Sequence, residues 1–507
     1  MKGMSSDPEI IVVGYGFAGG MSAIAAHDAG ARVLLLEKQP EPGGISVCSA
    51  GGIRATTDAE GAFAYLQATN AGTTPPDVLR RLAEGMAEMP SQVRALGEAV
   101  GIRTEWRPSP ANYPFPGYDS FGFVYVDHIA GFDPRRAFPH VRGSAAGARL
   151  FKLVMDNIAL RPGIDVRFGL GAERLLVEKG EVVGISSSHG EIYASKAVIL
   201  ACGGFEGDEA TKLQFWPLKP VLSAAVRTNT GDGMRMAQAA GAAVWHTWHY
   251  HGSYGFRHPD PSYPFGIRLK RLPDWLPGTK PREDVRMSWI LVDQAGQRFV
   301  NEYEPYMQDT GHRAMELFDP VSQSFPRVPA YLIVDSRGRE LYPLSAPTWH
   351  DIEVARRYGD VTPAGFDDTI LTEAATIADL AARFGVPAEK LEATIRNWNA
   401  QCRDGNDATF GRPASSMVPI ETPPFYAAPV WPIVSNTQGG PVHDAEQRVL
   451  DAFGRPIPRL YEAGEIGSVF GHLYMSGGNI AECFVGGTIA GRAAAALPSV
   501  SRKPASA

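Results

Sequence analysis

The sequence predicts an α/β fold in which a parallel sheet carries a dinucleotide and a second domain supplies the other half of a site. Three observations predict it. The apolar run Glu9–Val13 stops at Gly14. Gly14-x-Gly16-x-x-Gly19 follows and leads into Gly20–Ala26, a stretch in helical register. Gly30 can close that helix, and Arg32–Glu37 is a second buried strand ending on an acid. Strand, Gly-rich turn, helix and strand within about 30 residues is the dinucleotide-binding unit.

Each glycine of the turn has a physical task. Gly14 permits the tight turn, Gly16 lets a pyrophosphate approach the backbone, and Gly19 lets the helix pack on its strand. The helix N-terminus then faces phosphate. Glu37 is placed to bind a ribose diol and fits NAD or FAD equally. The absence of a second such pattern indicates one dinucleotide.

Further along, Val182–Ile185 and Ala197–Leu200 read as strands, with Gly180 and Gly190 as turn glycines. Trp289–Val292, a turn at Asp293–Gly296 and Arg298–Val300 read as a hairpin. Thr376 is an N-cap with Asp379 three residues on, and Gly385 closes that helix. Pro387 opens the next, with Leu391, Ile395 and Trp398 on one face. Arg459–Gly464 is a late strand, and Gly478–Arg492 a final helix rich in small residues. Pro498–Ala507 reads as a loose tail.

Composition narrows the function classes. With 507 residues there is room for two to four domains. The net charge of −7 and the lack of a long basic run argue against nucleic acid. Four cysteines, with no C-x-x-C pair, suggest neither zinc nor a redox dithiol and fit a reducing compartment. The longest uncharged stretch, Ile10–Ala26, is short for a membrane span and holds four glycines. A cytoplasmic protein without a membrane span is expected. His246, His249 and His251 lie in an aromatic stretch, Trp245–His251, without a carboxylate or cysteine to complete a ligand set, so no metal is expected there. That stretch, with Tyr113–Tyr118 and Phe121–Tyr125, reads as a wall over an apolar substrate or as ordinary core.

Pro42-Gly-Gly44-Ile45-Ser46, Ala50-Gly51-Gly52, Thr437–Gly440, Leu460–Glu465 and Ser476-Gly-Gly-Asn479 follow one another in an order that resembles the fumarate reductase and 3-ketosteroid dehydrogenase flavoproteins. The resemblance covers nearly the whole chain. It implies a Rossmann-like FAD-binding domain of the glutathione-reductase type, formed by residues 1–240 and 421–507, with an α+β cap inserted at 241–420. It also implies that Gly14, Gly16 and Gly19, with Phe17 and Ala18, hold the pyrophosphate. Glu37 would hold the adenosine ribose, and Lys38 would also bind the cofactor. Gly44, Ile45, Ser46, Gly51 and Gly52 would lie by the isoalloxazine, Glu465 by the ribitol, and Ala201 and Gly203 along the cofactor. Gly478, Asn479 and Ile480 would aim a helix N-terminus at the flavin pyrimidine, where reduced flavin is negative. Thr230-Gly-Asp232-Gly resembles a structural loop of the same family.

Some members attach FAD to a histidine just before the Gly51–Gly52 pair. Ile45, Ser46, Val47 and Cys48 stand there, so non-covalent FAD is expected, with Cys48 as packing. Fumarate reductases carry an arginine where this chain has Met475, and another shortly after an Asn-Glu pair, where Asn301-Glu302 is followed by Tyr303–Tyr306. Tyr474-x-Ser476-Gly instead resembles the 3-ketosteroid delta-4-(5-alpha)-dehydrogenases, which place a further tyrosine near Tyr306 or Tyr303. The implied catalytic set is Tyr474, Ser476 and Tyr306. The implied reaction is desaturation of a C–C bond beside the carbonyl of a neutral, cyclic, steroid-like ketone, with an external electron acceptor or donor. Its alternatives are the reverse enone or enoate reduction, and a binding protein in which FAD is only structural.

Overall fold

The computed structural model describes residues 8–143, 145–270, 286–303, 311–359 and 361–500. Ile10–Val13, wholly buried, is an inner strand of a six-stranded sheet. The order runs Arg448–Leu450, Pro456–Glu462, Ala197–Leu200, Ile10–Val13, Val33–Leu36, Ile164–Arg167. All neighbours are parallel except the hairpin Arg448–Leu450/Pro456–Glu462. Strands buried on both faces need continuous apolar runs, and Ile-Ile-Val-Val and Val-Leu-Leu-Leu supply them. Because Pro456–Glu462 pairs with Ala197–Leu200, the two ends of the chain share one sheet.

The helix Phe17–Asp28 lies directly on the turn below it, since a Cβ at Gly19 would fall 1.8 Å from the Gly14 carbonyl oxygen. The final helix, Gly478–Ala496, crosses that first helix at a seam of small residues. A Cβ at Gly487 would come within 2.7 Å of the Ala18 oxygen, and one at Gly491 within 2.4 Å of the Ser22 oxygen. The small residues of the last helix therefore serve backbone-to-backbone packing.

A second, eight-stranded sheet is built on the long strand Phe425–Thr437. Tyr250–Arg257 pairs antiparallel along one edge and Ala330–Asp335 along the other. Its strands reach from Leu222 to Thr437, on both sides of the 241–420 segment. The register slips between His251 and Gly252, a bulge that re-aims the side chains there. Ile377–Phe384 starts at Thr376, whose hydroxyl accepts the Asp379 N–H, and ends at left-handed Gly385. Ala388–Asp404 follows with Leu391, Ile395 and Trp398 buried.

The hairpin expected at Trp289–Val300 is corrected. Trp289–Val292 pairs with Ala330–Asp335, and among the described residues the return segment is shortened to the bridge Val292–Arg298, closed by Asp293 N–H on the Gln297 oxygen at 2.9 Å. Arg298 turns inward, at 2.7 Å from Glu302 and 3.1 Å from Asp407, and these buried ion pairs displace a second ladder. In the C-terminal tail, residues 501–507 lie outside the described residues, and Val500 donates its N–H to the Ser195 oxygen. No helix among the described residues is long and apolar enough to cross a membrane.

Candidate active site

The Gly-rich turn opens a cleft lined by residues from both ends of the chain. It brings together Gly14, Gly16, Phe17, Ala18, Glu37, Lys38, Gly44, Ile45, Ser46, Ala201, Gly203 and Glu465. Gly14 has φ +103°, and a Cβ there would fall 2.5 Å from the Ala201 oxygen, so only glycine leaves the cradle open. The Ser46 hydroxyl accepts the Phe17 N–H at 3.0 Å, which ties the loop after the second strand to the start of the first helix.

Glu37 ends the second strand and is held by two backbone donors, Tyr15 N–H at 3.0 Å and Gln39 N–H at 2.9 Å. Burial raises its carboxyl above the ordinary value while those N–H groups pull it back. Lys38 lines the rim, but its ammonium is engaged by Asp232 at 2.7 Å and Thr230 at 3.0 Å. Deeper in, Glu465 accepts the Thr437 N–H at 2.8 Å and the Asn436 amide at 3.2 Å. Burial pushes its carboxyl up to about 7. A glycine cradle, a fixed carboxylate and a second buried acid at the far end fit an elongated dinucleotide with ribose and ribitol hydroxyls.

Gly51, Gly52 and Gly478–Ile480 lie beyond this cleft. Gly51 and Gly52 are glycine for packing, since a Cβ would meet the Ala146 backbone at 2.4 Å and the Tyr125 ring at 2.8 Å. Arg54, buried and unforeseen from the sequence, donates to the Ser476 oxygen at 2.8 Å and lies 3.7 Å over the Phe123 ring. Ser476 N–H is held by Asn112 at 2.9 Å. Together they fix the turn before the final helix. Asn479, on that helix, has a buried side-chain N–H₂ with no partner among the described residues, as a donor reserved for a bound group would have.

Tyr474 is buried against this turn. Its hydroxyl oxygen accepts the N–H of Gly477 at 3.1 Å and of Asn479 at 3.5 Å. Its ring stacks on His251 with centroids 4.0 Å apart, and its carbonyl accepts the Tyr113 hydroxyl at 2.8 Å. His251 Nδ1 lies 3.4 Å from the Asn436 side-chain oxygen, and Asn436 in turn donates to Glu465. Asn436 and His251 thus link the cleft acid to the ring on which Tyr474 stacks. Tyr306 lies outside the described residues. Tyr303 is described, half-buried among the cap's apolar side chains.

The histidine stretch divides. His246 sits between the Ser468 and Thr73 carbonyl oxygens at 3.1 and 3.0 Å, a structural position. His249 Nδ1 accepts from Arg313 at 2.9 Å, and burial holds His249 well below its ordinary value. Arg313, a partly buried cation beside His249, is marked by no local pattern in the sequence. Met475, beside Tyr474, is fully buried. Glu302 is locked to Arg298 and Arg412 inside the cap.

The FAD binding domain family matches residues 9–480. The chain belongs to this family. This FAD-binding flavoprotein is similar to 3-oxosteroid 1-dehydrogenase of Mycobacterium tuberculosis (strain ATCC 25618 / H37Rv), at 27% identity over 95% of this chain and 97% of the other. It is 28% identical to the fumarate reductase (cytochrome) of Shewanella frigidimarina, over 96% of this chain and 77% of that one. Its fold is that of 3-ketosteroid delta1-dehydrogenase from Sterolibacterium denitrificans, solved with 1,4-androstadiene-3,17-dione, with TM-score 0.79, 23% identity, and coverage of 97% and 100%. It is an FAD-dependent oxidoreductase of CH–CH groups, the class of these dehydrogenases and reductases.

Proposed function

We propose that the flavoprotein desaturates a neutral cyclic ketone beside its carbonyl, binding FAD non-covalently. The observation that carries this is the Tyr474 hydroxyl at the start of the final helix. A phenol oxygen that accepts two backbone N–H groups is polarised, and its O–H is a stronger donor. Such a donor suits a substrate carbonyl oxygen, where negative charge develops as the alpha proton leaves. FAD, when bound, supplies the two-electron acceptor for the beta hydride. The proton goes to a base on the cap side. His251 is the described candidate, because its Nδ1–H faces the Asn436 oxygen and Nε2 is then the accepting nitrogen. Tyr306 is the other. Ser476 and Gly477 hold the turn that positions Tyr474.

Met475 in place of an arginine supports a ketone over a dicarboxylate. A second reading, reduction of an enoate, draws on Arg313 in the wall beside His249. The electron partner is an external carrier in either direction. A reducing, cytoplasmic setting is supported by four cysteines, all free. The test is anaerobic mixing of the oxidised protein with 3-ketosteroids and smaller cyclic ketones, against succinate. Bleaching of the flavin by a ketone and not by succinate is expected. Bleaching by succinate alone, or by nothing while the reduced flavin reoxidises with enoates, would replace the first reading by the second.

A further inference from the structure

Three side chains that the flavin chemistry does not use meet at the seam between the two sheets. Glu41 lies in the loop after the second parallel strand, two residues before Gly43. His140 precedes the short strand Val141–Arg142, and His350 ends Trp349–His350, which pairs with it antiparallel. The two imidazoles stand edge to face with centroids 4.6 Å apart. His140 Nε2 is 3.6 Å from Glu41 Oε1, too far for a hydrogen bond. Both histidines are more than nine-tenths buried, with exposures of 7% and 8%. The Nε2 atoms of both lack a partner among the described residues. One ligand atom from each of the three residues lies within 4.8 Å of the other two.

Burying a polar atom without a partner is unfavourable, and two adjacent imidazole nitrogens in that state beside a carboxylate call for a shared partner. We propose that Glu41, His140 and His350 bind one divalent transition metal ion of the zinc class. Two imidazoles and a carboxylate are a set that zinc accepts, whereas magnesium and calcium take oxygen ligands. In a tetrahedral zinc site, bonds of about 2.0–2.2 Å place neighbouring donors roughly 3.3 Å apart. Rotation of Glu41 and of the two rings closes the remaining gap of at most about 1.5 Å. Glu41 is partly exposed, which gives an ion its entry, and water completes the fourth position. The ion would tie the loop carrying Gly43–Ser46, on the FAD side, to His350 on the cap side.

The test uses untagged holoprotein, stripped with a chelator, dialysed and titrated with zinc chloride by calorimetry. Bound zinc after gel filtration is measured by mass spectrometry. One saturable zinc per chain is expected, together with a rise in Tm. His350→Gln and His140→Gln should each weaken binding at least 100-fold, and Glu41→Gln at least tenfold, while the flavin spectrum stays unchanged. His189→Gln, at an exposed histidine, should leave binding unchanged. Zinc binding within threefold of wild type in Glu41→Gln and in both histidine variants would overturn the proposal, as would no saturable binding to wild type. If a histidine variant loses its flavin, the Glu41→Gln titration decides alone, because that side chain is partly exposed.

Discussion

The hydroxyl oxygen of Tyr474 accepts the backbone N–H of Gly477, 3.1 Å away, one residue before the final helix begins. Gly477 has φ +80°, and a Cβ there would strike Phe123 at 2.6 Å, so the turn admits only glycine. A side chain placed to cap this helix is thereby fixed at its N-terminal end.

Tyr474→Phe should therefore separate two roles. The swap is nearly isosteric, so FAD and fold should be retained, with a stability loss of about 1 kcal/mol from the missing cap acceptor. Flavin reduction by the best ketone should slow by roughly 10²–10⁴ if the phenol polarises the carbonyl. Stopped-flow comparison with wild type measures this, and a change below about threefold would remove Tyr474 from the chemistry.

Acid precipitation should release intact FAD into the supernatant. Ile45–Cys48 offers no histidine, and Cys48 is buried, its thiol pushed far up by burial and so a poor nucleophile. Flavin absorbance remaining with the washed pellet would contradict this.

The parts of the site that were legible in the sequence are those made by neighbours in the chain. Gly14, Gly16, Gly19 and Glu37 act within one strand-turn-helix-strand unit, and Thr376 caps its own helix, so spacing alone reveals them. Arg54, Arg313 and the stack of His251 on Tyr474 depend on side chains brought from distant segments, and no local pattern encodes them. The hairpin at Trp289 failed for a related reason. Its turn is present, with Gly296 N–H on the Asp293 oxygen, but its return strand is reduced to one bridge at Arg298, whose side chain is drawn inward to Glu302 and Asp407.

The Asn301-Glu302 pair, suggestive of chemistry in the sequence, holds the cap together. Glu302 accepts the Leu291 N–H at 3.0 Å and pairs with Arg298 and Arg412 at 2.7 and 3.4 Å, all buried. Glu302→Gln leaves buried guanidinium charge undercompensated, at a cost of about 3–5 kcal/mol. Urea denaturation followed by tryptophan fluorescence should show it. A loss below 1 kcal/mol would mean that Asp407 alone suffices.

Glu465 sets a pH dependence with a definite sign. Its carboxyl rises from the ordinary 4.5 to about 7, chiefly through burial, so the native state holds that proton more tightly than the unfolded chain. The associated stability is fully present below about pH 4.5 and is lost as the pH rises to about 7. In flavin-free protein, Glu465→Gln should gain Tm relative to wild type between these values and hold a constant advantage above pH 7. A difference independent of pH would show that Glu465 titrates alike in the native and unfolded chain.

Substitution of Arg313 separates a neutral-ketone substrate from one that carries a carboxylate. It is partly buried, its guanidinium held below the ordinary value by burial, and it donates to His249 Nδ1 at 2.9 Å. A neutral ketone would gain nothing from contact with this cation, whereas an enoate carboxylate in contact with it would gain a charge-assisted interaction of about 1.5–3 kcal/mol. Arg313→Met keeps the side chain's bulk and removes the charge. If the substrate is a neutral ketone, kcat/KM should change by less than about threefold, apart from any shift caused by releasing His249. If the substrate carries a carboxylate, kcat/KM should fall by at least tenfold, mainly through KM. Measuring both classes on the same variant, with Arg313→Lys as the charge-retaining control, separates the readings: a loss on enoates rescued by lysine makes Arg313 the carboxylate's partner. Equal losses on both classes would make Arg313 a structural support for His249.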